Sequence, residues 1–355
     1  MKTKSNFIRF AFVVGVTLYI ITITAVQFAR SQPSTKGSDV HSWRVVCGTE
    51  GGLAYGISGG LSKFIRSRVS NVHLLPEPGG TVAGCRLISR GEITATYGNP
   101  LLLKQAHKST GPFKEKPLGK IKPLQTIYFY PVTMFIVTKA DSGINSLNDL
   151  EGKRISLGVP AVGLTSASVE LFKDLGLWGK VNNRWISLGD LADSLKGGVV
   201  DAVLGWNVGD FAAGPAVKKM DLYVKCRVPT MSHEQMQMVN KSAGLAFRYT
   251  PTKSAFSQDI GMEKIPGWAL WYGFHWASDA DEEAVYRVVK ALFEDRSELS
   301  KISKAFNLFA SDPNEVIVSA ISAAPDVPVH PGAAKYYKEI GIWKNNWVDG
   351  QTETK

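Results

Sequence analysis

The sequence predicts an α/β fold of two lobes with a ligand cleft between them, and three observations predict it. Short apolar, β-branched runs alternate with amphipathic segments along most of the 355 residues, the pattern of strands and helices on a largely parallel sheet. Glycine-bearing loops recur where those runs end, after Val45 to Cys47, after Asn71 to Leu75 and after the strand containing Ile155. Ligands of open α/β sheets gather at such carboxyl ends, where helix N-termini leave backbone N–H groups unpaired. The alternation also starts again near residue 140, and two such units in succession imply two lobes.

The first thirty residues differ in kind. Lys2, Lys4 and Arg9 precede an uncharged run from Phe10 to Val26, and polar Gln32 to Ser38 follows. Residues 1–30 read as an export signal and 31–42 as a linker; the run is long for a cleaved signal, so an uncleaved membrane anchor is the alternative. The basic residues precede the run, which places the folded part on the far side of the membrane. No cysteine follows it closely, which argues against a lipoprotein.

Val45 to Cys47 reads as a buried strand breaking into a glycine-rich loop, Gly48 to Gly60, before a helix from Leu61 to Ser67. Asn71 to Leu75 is the next strand, and Glu77-Pro78-Gly79-Gly80-Thr81 breaks it, with Thr81 placed to cap a helix from Val82 to Ser89. Thr94 to Tyr97 is a strand stopped by Gly98-Asn99-Pro100, Leu101 to His107 a helix, and 108–123 an exposed loop. Ile127 to Tyr130 and Thr133 to Thr138 suit strands. Ser146 to Gly158 gives a capped turn and a new strand, and the loop Val159 to Ser166 enters a helix from Ala167 to Leu175. Trp185 to Ser187 reads as a strand, Leu191 to Lys196 as a helix, and Ala202 to Leu204 as a strand leading to Trp206 and Asn207. Aromatic-rich Trp268 to Trp276 reads as a long strand recrossing between the lobes, with His275 packed inside it. Asp281 to Phe293 is an amphipathic helix packing on the first lobe, and Val327 to Gly341 a turn and a short helix.

Composition narrows the function. The formal charge of +10 favours anionic ligands or surfaces, but the basic residues are scattered and no nucleic-acid motif organises them. Cys47, Cys85 and Cys226 are too few for a disulfide framework and too widely spaced for a metal site; buried thiols, or one disulfide, are the two readings. Six histidines form no paired arrangement, and the Gly-x-Ser-x-Gly nucleophile turn is absent. The expectation is a binding protein rather than an enzyme, with no cofactor, no metal and no nucleic-acid partner.

The segments Gly48-Thr49 through Gly59-Gly60-Leu61, Glu77 to Thr81 with Arg86-Leu87-Ile88, Leu150 to Ile155, Val285-Tyr286-Arg287 with Lys290 to Phe293, and His330 to Tyr337 stand in an order and spacing that resembles the TAXI-type solute receptors of TRAP transporters. The resemblance spans roughly residues 44 to 343. It implies a type II-like periplasmic-binding-protein fold, each lobe a mixed, mostly parallel sheet flanked by helices, with lobe I at 43–137 and 277–345, lobe II at 138–276 and a tail at 346–355. It further implies a periplasmic receptor that captures a small organic anion, a dicarboxylate or glutamate-like amino acid, and delivers it to TRAP membrane subunits. A membrane-anchored sensor of the same fold is the second reading. The ligand residues it implies are Thr49, Gly51, Gly52, Tyr55, Gly80, Thr81, Asn99, Tyr130, Gly163, Thr165, Ser166, Trp206 and Asn207.

The departures from that family fall at the ligand loops. Tyr55-Gly56-Ile57 replaces a tyrosine pair and proline, Gly84 an asparagine, Thr81 a serine, and Thr94 an acidic residue. The third loop, usually Gly-Ser-Gly-Thr, is here Ala161-Val162-Gly163-Leu164-Thr165. Fewer polar groups, with Trp206, Tyr97 and Tyr130 near strand ends, point to a larger or more aromatic ligand.

Overall fold

The structure is a computed structural model that describes residues 40–353 apart from 49, 51, 161 and 243. The chain separates into Met1–Val40 and His41–Lys355, and the second of these units holds the α/β fold. The expected export segment lies outside the described residues, as do Thr49 and Gly51. No helix among the described residues is long and apolar enough to cross a membrane.

Strands and helices alternate from the start: β1 (His41–Val46), α1 (Leu53–Arg68), β2 (Val72–Glu77), α2 (Thr81–Ser89), β3 (Ala95–Gly98) and α3 (Pro100–Lys108). A long strand, β4 (Ile127–Lys139), leads into the second half: β5 (Arg154–Ser156), α4 (Gly163–Asp174), β6 (Asn182–Asn183), α5 (Leu191–Lys196), β7 (Ala202–Val208), β8 (Ala212–Ala213), α6 (Pro215–Tyr223), β9 (Cys226–Arg227), α7 (His233–Lys241) and β10 (Ala246–Pro251). The other long strand, β11 (Lys264–Trp276), returns to the first half, and α8 (Glu282–Glu294), α9 (Arg296–Ile302), α10 (Asn307–Ser311), α11 (Pro313–Ser322) and α12 (Pro331–Glu339) complete it.

The main path of pairing is β2-β1-β3-β11-β4-β7-β5-β6. β1 is parallel to β2 and β3, and β5 is parallel to β6 and β7. β11 runs antiparallel to β3 at one end, to β4 in its middle and to β10 at the other. This is an α/β architecture of two halves on one continuous mixed sheet flanked by helices. The hydrogen-bonded path runs through both halves without a break, because β4 and β11 pair where they cross. Their near-continuous burial explains why both read as apolar runs rather than alternating strands.

Helix faces follow the same logic. Buried Ile57, Leu61, Phe64 and Ile65 form the inner stripe of α1, and Ala284, Val285, Val288, Val289 and Leu292 that of α8. Asp281 starts α8, its side chain accepting from the Ala284 N–H at 2.7 Å.

Four details differ from the sequence reading. α1 begins at Leu53, eight residues before the expected start, so Gly56, Gly59 and Gly60 are helical rather than loop. Thr81 is the first residue of α2 and Gly80 its cap position, with no side-chain cap. β4 is one strand where two were expected. Trp185 to Ser187 is not a strand: β6 is a two-residue edge at Asn182–Asn183, and once the Arg184 N–H has bonded the Ile155 carbonyl at 2.8 Å the chain leaves the sheet. All three cysteines are buried free thiols, which removes the disulfide alternative. Burial pushes the Cys47 thiol up to about 11, so it stays protonated.

Candidate functional site

The carboxyl ends of β1, β2, β3 and β5 deliver the N-termini of α1, α2, α3 and α4 to one cavity of about 900 Å3. The register of β1 on β2 brings the first two together: the Cys47 N–H bonds Glu77 O at 2.9 Å and the Gly79 N–H bonds Gly48 O at 2.8 Å. Gly48 holds φ +90°, a conformation that favours glycine, and Gly79 lies against Val46, which a Cβ would meet at 3.0 Å. α3 follows β3 directly, with the Asn99 side chain accepting from the Leu102 N–H at 3.0 Å. α4 reaches the cavity from the other half, anchored where Trp268 Nε1 of β11 donates to Ser168 Oγ at 3.0 Å.

Gly52, Gly80 and Val162, the cap positions of α1, α2 and α4, use no side chain to satisfy the first-turn N–H groups. Those orphan donors and the positive ends of the helix dipoles therefore face the same space. Thr81 adds a hydroxyl at the start of α2.

The floor and far wall are aromatic and aliphatic. Tyr130 and Val132 come from β4, Leu270 and Tyr272 from β11, and Trp206 and Val208 from β7. Tyr97 stacks on Tyr272 with ring centres 5.2 Å apart, and its hydroxyl is 2.8 Å from that of Tyr130. Burial keeps these phenols protonated, raising Tyr272 to about 12 against the smaller opposing effect of Asn99, so the trio are neutral groups. Trp206 is fixed by Gly214, whose N–H bonds the Trp206 carbonyl at 2.8 Å and whose missing Cβ would lie 2.3 Å from the indole.

Among the expected ligand residues, Gly52, Gly80, Thr81, Asn99, Tyr130, Gly163, Ser166 and Trp206 are brought together on this cavity. Tyr55, Thr165 and Asn207 do not line it. Tyr55 packs on the hydrophobic core along α1. Thr165 is fully buried on the inner side of α4, beneath Gly158. Asn207 is fully buried, its side-chain amide donating to Ser254 O at 2.8 Å. Sequence reasoning missed Tyr272 and Leu270, although their alternate spacing in the aromatic strand is the signal that would put both on one face. His275, next along, is a packed residue: its Nδ1 accepts from the Thr126 N–H at 3.3 Å, and burial lowers its pKa to about 3.

The cavity lies where the crossing strands β4 and β11 meet the helix-bearing ends of the shorter strands. The chain matches the NMT1-like family over residues 45–341 and belongs to it. A TctC solute-binding protein from Polaromonas is similar at 15% identity and TM-score 0.48, over 82% of this chain and 97% of that one. A putative periplasmic sulfonate-binding protein from Methylobacillus flagellatus is similar at 14% identity and TM-score 0.47, over 89% and 91%. A probable amino-acid ABC transporter extracellular-binding protein from Bacillus subtilis is similar at 14% identity and TM-score 0.45, over 76% and 98%.

Proposed function

We propose that the protein captures a small organic anion in this cavity and delivers it to a TRAP-type membrane transporter. The observation that supports the capture is the opening of four helix N-termini on one cavity, three of them without a side-chain cap. A carboxylate accepts several aimed N–H bonds there and needs no full countercharge, since the dipoles stabilise its ionised form. The cavity's size and mixed apolar and polar lining suit a small molecule. Delivery to TRAP subunits rests on the TAXI-like order of sequence segments.

A thermal-shift screen of carboxylates, amino acids and their neutral analogues, followed by calorimetry, tests the capture. An anion present at a hundred times its Kd stabilises the protein by about 2.7 kcal/mol. Stabilisation by an anion and not by its amide is the expected result; stabilisation by neutral compounds alone defeats the anion reading. Uptake of that anion by vesicles holding a TRAP-type permease tests delivery: uptake that does not respond to added protein rules the coupling out.

A further inference from the structure

We infer that the cavity selects an amphiphilic monoanion, one carboxylate on an apolar and preferably aromatic body, and discriminates against dicarboxylates. The inference rests on the anion-receptor reading and specifies what else the ligand must be. The positive potential of the cavity comes from helix termini, for no lysine, arginine or histidine is among the described residues lining it. Each terminus is worth about half a charge and acts only within its own turn; α1, α2 and α3 bring three of them from the first half and α4 a single one from the other, so the first-half wall accommodates a carboxylate far better than the wall facing it.

Beyond the single α4 terminus, that wall offers a second carboxylate little. Val132, Leu270, Trp206 and Val208 present carbon, and the phenols beside them are neutral. One hydroxyl hydrogen of the Tyr97 and Tyr130 pair is engaged between the two rings. The Ser166 hydroxyl hydrogen is directed to the Pro160 carbonyl at 3.0 Å. Arg248, behind Trp271, is neutralised by Asp210 at 2.7 Å. Glu170, the acidic group among the described lining residues, is paired with Lys173 at 2.8 Å, so that cation is not free for a second carboxylate. An apolar body loses nothing there, and an aromatic one continues the stack of Tyr97 on Tyr272. A buried carboxylate without donors is the costlier occupant by far.

Calorimetry on the purified full-length chain with 3-phenylpropionate, glutarate and 3-phenylpropionamide separates the possibilities. The expected result is 3-phenylpropionate bound roughly 100-fold more tightly than glutarate, the penalty of an unpaired charge, and at least about tenfold more tightly than its amide, the share of the helix termini. Glutarate bound as tightly as 3-phenylpropionate overturns the inference and leaves the anion receptor standing. The amide bound as tightly as the acid overturns both. Failure of all three to bind at millimolar concentration also overturns the inference. Gln105→Lys, which sets a cation on the lining of a folded helix, is expected to narrow the preference by roughly tenfold through glutarate. An unchanged ratio in that variant, with the melting temperature retained, counts against the claim that missing countercharge sets the selectivity.

Discussion

At the residue scale, the glycines of the site have separate duties. Gly80 and Gly163 line the cavity, and a Cβ at either would meet nothing within 4 Å. Gly80→Val and Gly163→Val are therefore expected to fold normally while weakening ligand binding roughly tenfold or more, because their methyl groups occupy space beside the N–H donors. Titration calorimetry beside a melting curve checks this; tight binding in both variants removes the two helix termini from the site. Gly84 is a different case. Its Cβ would lie 2.0 Å from Thr96 Oγ1, so the asparagine common in the TAXI pattern has no room where α2 rests on β3. That departure, which looks in the sequence like a lost ligand group, is a packing adjustment. The sequence could not separate these cases, since a glycine shows its purpose only through the atoms opposite.

At the scale of elements, the alternation of strands and helices was legible in the first half and around α8, where each amphipathic stripe is local, but the elements between β7 and β11 and between α8 and α12 were not assigned, and Trp185 to Ser187 was read as a strand that does not form. The start of α1 also failed. Glycines lower helix propensity and read as loop, yet Gly56, Gly59 and Gly60 lie inside a sixteen-residue helix. Gly60 has a tertiary reason: Ile302 of α9 packs so close that a Cβ would sit 2.4 Å from its Cγ2. No such neighbour exists at Gly56 and Gly59. Gly56→Ala and Gly59→Ala are each expected to stabilise the protein by about 0.5–1 kcal/mol, and Gly60→Ala to destabilise it by about 1–3 kcal/mol. Urea denaturation midpoints decide the matter, and equal effects at all three positions would disprove this account. The site itself was only partly legible: the helix-entry residues announce themselves through glycine, but Leu270 and Tyr272 belong to a strand whose partner register decides which face meets the cavity.

At the scale of the molecule, two buried histidines set the acid limit. Burial lowers His275 to about 3 and His330 to about 4, against an ordinary value near 6.5. The unfolded chain thus binds protons that the folded one refuses. Stability is complete above about pH 6.5, falls as the pH drops through that value, and continues falling until the folded-state pKa values are reached. Each histidine removes at most about 1.4 kcal/mol per pH unit in that window. His330 also caps α12, its Nδ1 accepting from the Gly332 N–H at 3.2 Å, a role that asparagine also fills. His330→Asn is expected to keep neutral-pH stability and to flatten the acid slope between pH 6 and 4.5; a slope as steep as before would show that other groups set it.

The unbroken pairing of β4 with β11 has one more consequence. Their register slips between Tyr272 and Gly273, and Gly273 presses so close to the Ile127 carbonyl that a Cβ would be 1.8 Å from it. A bulge of this kind concentrates twist. We expect any change in cleft width to be a torsion of this two-stranded ribbon about that point rather than a jaw swinging on loose linkers. Tyr272 lines the cavity and adjoins this slip, so under the proposed function occupancy and torsion would form a single mechanical coordinate. Reading the angle of the ribbon then reads whether the cleft is filled.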